Sequence, residues 1–157
     1  MSQRFHIRLA MPDDAAAIST LRRLMFEAMG TRDPAKLDAM EAQFLPWVRD
    51  KTARGEFVTW LMVDEQDVAI AGASLWIREA VFSPNNLSGR EGWVLNVSTH
   101  PDYRRRGFAR QLLDALLDWC RKNQLHTLML VATSDGKALY HSLGFEDRGF
   151  MVLRVGE

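Results

Sequence analysis

Apolar Phe5, Ile7 and Leu9 alternate with Arg4, His6 and Arg8 between Arg4 and Ala10, the period of a half-buried strand. Pro12 suits the first position of a helix, Asp13 and Asp14 suit its first turn, and Gly30 suits its end; Ile18, Leu21, Met25 and Met29 form an apolar stripe between them. A second helix is predicted from Pro34 to Arg54, stopped by Gly55 and broken or kinked at Pro46. Phe57–Val63 and Val68–Ile77 read as strands joined by the polar turn Asp64–Asp67, and Ser83–Gly89 reads as a loop. Trp93–Thr99 is a further strand, ended by the turn His100-Pro101-Asp102. From Gly107 a helix carries Ala109, Leu112, Leu113, Leu116 and Cys120 on one face. Thr127–Ala132 reads as a short buried strand, Asp135–Leu143 as a short helix closed by Gly144, and Met151–Val155 as the clearer of one or two closing strands. Strands and helices therefore alternate, with hairpin-like pairs in the middle, which predicts an α/β or α+β domain built on a mixed sheet.

Composition narrows the function classes. The chain has 157 residues, enough for one well-packed domain over 1–157 and too few for two. Twenty basic and 20 acidic residues cancel, which argues against nucleic acid as a partner and against the net basic face that duplex binding needs. The single cysteine, Cys120, excludes an internal disulfide and lies on the apolar stripe of its helix, where packing explains it. The four histidines have no metal-ligand spacing, so no metal site is expected. The amino-terminal stretch lacks the apolar core of a secretory signal, and no apolar run is long enough to cross a bilayer. A soluble, cytoplasmic protein without a membrane partner is expected.

The segment Arg104-Arg105-Arg106-Gly107-Phe108-Ala109 stands apart from this ordinary background. It follows an apolar strand and opens a helix, where the helix dipole already disfavours positive charge by about 0.3–1 kcal/mol per residue. An anion resolves the conflict: the first helical N–H groups are unpaired donors, and Gly107 relaxes the backbone beside them. A neutral protein with one local basic cluster fits a small anionic ligand. No Gly-Lys-Ser/Thr follows, which excludes a Walker loop, and the glycine pattern of a dinucleotide fingerprint is missing.

The run from Val94 to Ala109 resembles the acyl-CoA-binding motif of the GNAT superfamily of N-acyltransferases, whose core Arg/Gln-x-x-Gly-x-Gly/Ala is matched by Arg104, Gly107 and Ala109. A second block, Leu139-Tyr140-His141-Ser142-Leu143-Gly144-Phe145, is similar to the family's closing Leu-Tyr-x-x-x-Gly-Phe segment. Two blocks in the right order and context carry far more weight than one six-residue match. The resemblance implies a mostly antiparallel central sheet of about six to seven strands, splayed at the acyl-CoA site and flanked by about four helices.

It also implies acetyl-CoA as acyl donor and a primary amine of a small molecule or peptide as acceptor. Carried over by position, the pantetheine arm would lie against Leu95, Val97 and Thr99, with the Val97 N–H near the thioester carbonyl. The pyrophosphate would rest on the turn formed by Arg104, Arg105, Arg106, Gly107, Phe108, Ala109 and Arg110. Thr133 stands where the family often has an asparagine, which implies a hydrogen bond to the pantetheine arm. Tyr140 stands where the family has its general acid, although a core aromatic at this spacing is the alternative.

The general base stays open. Where many family members place a glutamate on the motif strand this chain has Trp93, and Glu91 lies two residues earlier on the same face of a regular strand. Water held by Asn96 is the alternative. The Ser134-x-x-Lys137 spacing matches that of penicillin-binding enzymes, but the partner motifs are absent. The expected activity is direct N-acetyl transfer in a ternary complex; a non-catalytic acyl-CoA-binding module is the rival reading, and relatives allow a homodimer. The acceptor would meet the first two helices, the Ser83–Gly89 loop and the chain end, and Glu27, Glu41 and Glu79 are candidate attractors for a cationic amine.

Overall fold

The computed structural model describes residues 2–156. Strand β1 (His6–Leu9) is followed by helices α1 (Ala15–Ala28) and α2 (Pro34–Ala53), strands β2 (Phe57–Val63), β3 (Ala69–Glu79) and β4 (Arg90–Thr99), helix α3 (Phe108–Lys122), strand β5 (Leu128–Met129) and helix α4 (Lys137–Ser142). The strands form one sheet in the order β1-β2-β3-β4-β5. Neighbours are antiparallel except β4 and β5, which run parallel.

Each face of the sheet is closed by helices whose apolar stripes match it. Leu112, Leu113 and Leu116 of α3 are fully buried against Trp60, Met62, Leu75 and Val94 on one face. On the other, Ile18 and Leu21 of α1 and Val48 of α2 pack on Phe57, Leu61 and Val63. Asp33 caps α2 by accepting from the Ala35 N–H, with Pro34 in the first turn where its missing donor costs nothing. The helix does not break at Pro46: Phe44, Leu45, Trp47 and Val48 around it all pack on the sheet, and that burial outweighs the lost hydrogen bond.

Four helices and a mostly antiparallel sheet match expectation, but among the described residues the sheet has five strands, not six to seven. The expected strand over Thr127–Ala132 contracts to Leu128–Met129, and the closing strand over Met151–Val155 does not form. Alternation reports what a segment can pair with, whereas a strand exists only through a partner ladder. β5 pairs with β4 through two residues, and no described backbone pairs with 151–155, so Met151, Leu153 and Val155 stay exposed.

Candidate functional site

The site is organised by β4. Its pairing with β5 covers only Gly92↔Leu128 and Trp93↔Met129, with one further bond from the Gly92 N–H to the Thr127 carbonyl. Beyond Trp93 the two strands part, and no strand among the described residues lies beside the remaining edge of β4. On its other edge β4 follows β3, with an irregularity: Ser74 pairs with Leu95 and Gly72 with Ser98, so Ala73 alone faces Asn96 and Val97. Asn96 takes a left-handed φ of 55°, a conformation rare outside glycine, which marks a β-bulge.

The bulge reverses the backbone's alternation. Before it, the Gly92 N–H points toward β5; after it, the His100 N–H points back to the Ile70 carbonyl on the β3 side. With a period of two, the N–H groups of Val97 and Thr99 consequently face the opening between β4 and β5, while that of Leu95 faces β3. The bulge also redirects side chains. Leu95, Asn96 and Ser98 all face α1 and α2: Leu95 packs on their core, Asn96 bonds Arg22, and the Ser98 hydroxyl donates to the Leu21 carbonyl at 3.0 Å. Val97 turns to the α3 face.

At the end of β4 the chain passes through a short helical turn, Pro101–Tyr103, into the arginine segment. Arg105 and Gly107 both have left-handed backbone, with φ of 63° and 76°. Nothing lies within 4 Å of where a Gly107 side chain would start, so glycine is needed there for its φ and not for lack of room. Alternating left-handed residues curl successive N–H groups toward one side, a concavity that suits an anion. Gly107 is also the N-cap of α3, whose first turn has no acidic residue and no side-chain cap.

The arginines are not neutralised. Arg104 Nε donates to the Thr99 carbonyl, Arg106 lies over the Tyr103 ring, and Arg110 Nη1 donates to Ser142 Oγ at 2.9 Å. None of these, nor Arg105, joins an ion pair among the described residues. Phe108 contributes to the core by its ring, edge-on to Phe5, which leaves only its backbone for a ligand.

The Arg110–Ser142 bond ties α4 to the first turn of α3. Tyr140, on α4, is half-buried, with its ring edge-on to Phe145 at 5.9 Å and its Cε2 close to Gly136. Burial raises the phenol's pKa above its ordinary value and keeps it protonated. The ring borders a cavity of about 620 Å³ beside β5, shared with Trp93, Leu130, His141 and Phe145. Thr133 is exposed in the turn before α4, its carbonyl accepting from the Gly136 N–H. Glu91 faces the α1 and α2 side with Trp93 and Leu95; Arg78 holds it at 3.3 Å and the Trp93 indole N–H donates to it at 3.1 Å.

The family model for the acetyltransferase (GNAT) family matches residues 17–145. This chain belongs to that family. Over 71 residues, 43% of this chain and 48% of the relative, it is 35% identical to the ribosomal protein bS18-alanine N-acetyltransferase of Escherichia coli K12. It thus spans about half the length of the curated relatives it matches. Among solved structures, a GCN5-related N-acetyltransferase from Ralstonia eutropha superposes with a TM-score of 0.88 at 26% identity, covering 97% of this chain and 99% of that one. A Clostridium acetobutylicum acetyltransferase solved with acetyl-CoA gives 0.87 at 24% identity, covering 97% of each. GNAT acetyltransferases use acetyl-CoA as acyl donor.

Within the GNAT frame, several candidate residues resolve into other work. Glu27 and Glu41, candidate attractors of a cationic amine, both bind Arg23, at 3.0 and 2.7 Å. Cys120 is buried, and desolvation pushes its thiol up to about 11, so it packs and does not react. No cluster able to hold a metal ion occurs among the described residues, and no helix there is long and apolar enough to cross a membrane.

Sequence reasoning missed Arg22 and the cavity it lines. Arg22 looks like a surface residue next to Arg23, and only the bulge, invisible in the alternation, brings Asn96 to it.

Proposed function

We propose that this protein is an N-acetyltransferase that moves the acetyl group of acetyl-CoA directly to a primary amine in a ternary complex. The observation that carries the reading is the change of alternation on β4, which turns the Val97 and Thr99 N–H groups toward an edge that no strand occupies. The chain's residues fit an acyl-CoA in three respects: an extended arm can add to that edge as a strand would, the left-handed turn offers converging N–H donors, and the surrounding arginines lack counter-charges among the described residues.

In this assignment main-chain N–H groups from Arg105 to Arg110 hold the pyrophosphate, and Arg104 adds charge at the phosphates. Thr99 and Thr133 bond the pantetheine arm, Leu95 borders the reacting end from the acceptor side, and the Val97 N–H polarises the thioester carbonyl. The neutral amine attacks the carbonyl carbon, and Tyr140 donates its proton to the departing sulfur. Glu91 lies on the acceptor's face of β4, about 13 Å along the strand from Leu95. It takes up the amine's proton through water.

One observation favours a second reading, a non-catalytic acyl-CoA-binding module: the Glu91 carboxylate is engaged by Arg78 and Trp93. Free-thiol release from acetyl-CoA, measured against polyamines, aminoglycosides, amino acids and peptide amino termini, separates the two. Acetyl-dependent turnover with one of these classes supports the enzyme. A thermal shift with acetyl-CoA and no thiol release with any of them supports the module.

A further inference from the structure

Arg22 is a charged side chain without a counter-charge among the described residues. Its guanidinium lies between the rings of Phe26 and Phe44, 4.9 and 5.0 Å from their centroids, and donates through Nη1 to Asn96 Oδ1. Its Nε and the Asn96 Nδ2 are buried without a hydrogen-bond partner among the described residues. Rotating the Asn96 amide would not help, because it would set an NH2 group against the guanidinium. Neighbouring Arg23 shows the ordinary solution, with Glu27, Asp38 and Glu41 all around it. Desolvation lowers the Arg22 pKa with no carboxylate opposing it, yet a guanidinium stays charged. Two buried donors and an uncompensated cation at one place are costly unless an anion completes them.

The same arginine forms part of a cavity of about 400 Å³ whose walls include Phe44, Trp47, Phe57, Trp76 and Leu95. No acidic residue lines it. A polyamine or aminoglycoside would bring positive charge to a positive, aromatic pocket, which the charge balance opposes. Asn96 immediately precedes Val97, so the anion site lies one residue from the N–H assigned to the thioester carbonyl.

We propose that the acceptor is a free α-amino acid with an apolar or aromatic side chain, its carboxylate held by Arg22 and Asn96 and its side chain in the aromatic cavity. This rests on the N-acetyltransferase reading above. One carbon separates amine from carboxylate in such an acceptor, matching the single-residue step from Asn96 to Val97. The amine nitrogen forms a bond to the acetyl carbonyl carbon and the carbon–sulfur bond breaks. The nitrogen loses a proton to water, the sulfur gains one, and the products are the N-acetylamino acid and free CoA.

The test compares leucine, phenylalanine and tryptophan with their carboxamides, with a peptide amino terminus and with spermidine, following thiol release by the wild type and by Arg22→Gln. A charged hydrogen-bonded pair at a desolvated site predicts kcat/KM for acid over amide about ten- to a hundredfold higher in the wild type. The ratio collapses toward one in Arg22→Gln, while the thermal shift with acetyl-CoA is unchanged. Comparing ratios between the two proteins cancels the difference in amine basicity between acid and amide. Should the variant fail to fold, the wild-type ratio alone decides. Amides, peptides or spermidine acetylated as well as the acids overturn the amino-acid assignment and leave the enzyme reading standing. No thiol release with any amine overturns both.

Discussion

Tyr140→Phe isolates the hydroxyl from the ring. The ring packs on Phe145 and against Gly136, contacts that phenylalanine keeps. The hydroxyl has no protein hydrogen-bond partner among the described residues, so its loss should alter folding stability by less than about 0.5 kcal/mol. For a chain of this length that is a melting shift within about 2 °C. Catalysis should respond differently. Removing a general acid costs about 10²- to 10⁴-fold, and a thiolate leaves readily enough to place this case at the lower end, about 10²-fold in kcat or 2.7 kcal/mol. Thiol release at saturating acetyl-CoA, with KM for acetyl-CoA measured alongside, is the assay. Because burial raises the phenol's pKa, any loss of the wild-type rate from Tyr140 deprotonation should set in at a higher pH than for a free tyrosine. An unchanged kcat in the phenylalanine variant would remove Tyr140 from the mechanism, and a large melting shift would mean that the hydroxyl is structural.

Three further outcomes are expected. Gly107→Ala forces a side chain into φ 76° in open space, a strain of about 1–2 kcal/mol; Gly55→Ala, at φ 70° and also in open space, carries the same strain away from the arginine turn. Both should melt lower by similar amounts, but only Gly107→Ala should weaken acetyl-CoA binding by calorimetry; equal affinities would place the pyrophosphate elsewhere. Asp14 is held below its usual carboxylate pKa of 3.8 first by its hydrogen bond from Arg8, so its contribution is present above that pH and lost as pH falls through the lower folded value. The melting difference between wild type and Asp14→Asn should therefore be full near neutrality and shrink below about pH 4; a difference that grows with acid would reverse the sign of this linkage. Native Cys120 should resist thiol reagents at pH 8 and react fully in denaturant, because burial pushes its pKa to about 11; rapid native labelling would contradict its burial.

The family and the shape of the arginine turn were legible in the sequence because they are written in residues with few alternative uses. A glycine at an N-cap, arginines where a helix disfavours them and a tyrosine block at fixed order each constrain the chain locally. The α3 stripe was legible for the same reason, its spacing being a property of the helix itself. Strand pairing is not local, and so the alternation at Met151–Val155 promised a strand that no partner completes. The acceptor side was hidden for a further reason. Glu27 and Glu41 gave no sign in the sequence that Arg23 would bind both, and Arg22 gave none that its neighbours would be aromatic rings.

In the proposed reading, one inserted residue brings the donor and acceptor sides together. Had β4 remained regular, Leu95 and Val97 would share a face and the N–H of Val97 would point into the β3 ladder with that of Leu95. The bulge at Asn96 separates them. Leu95 and Asn96 stay on the α1 and α2 side, where the aromatic cavity and Arg22 lie, while the Val97 N–H is freed toward the open edge of β4. In the proposed assignment, a donor carbonyl on that N–H and an acceptor carboxylate on Asn96 would sit one residue apart on a single strand. The strain of a left-handed asparagine is held in place by β3 on one side and Arg22 on the other. Asn96→Gly would relieve the backbone strain yet remove the only described hydrogen-bond partner of the Arg22 guanidinium. The variant should therefore keep acetyl-CoA affinity while losing the preference for a carboxylate-bearing amine, and a loss of both would mean that the asparagine shapes the bulge itself.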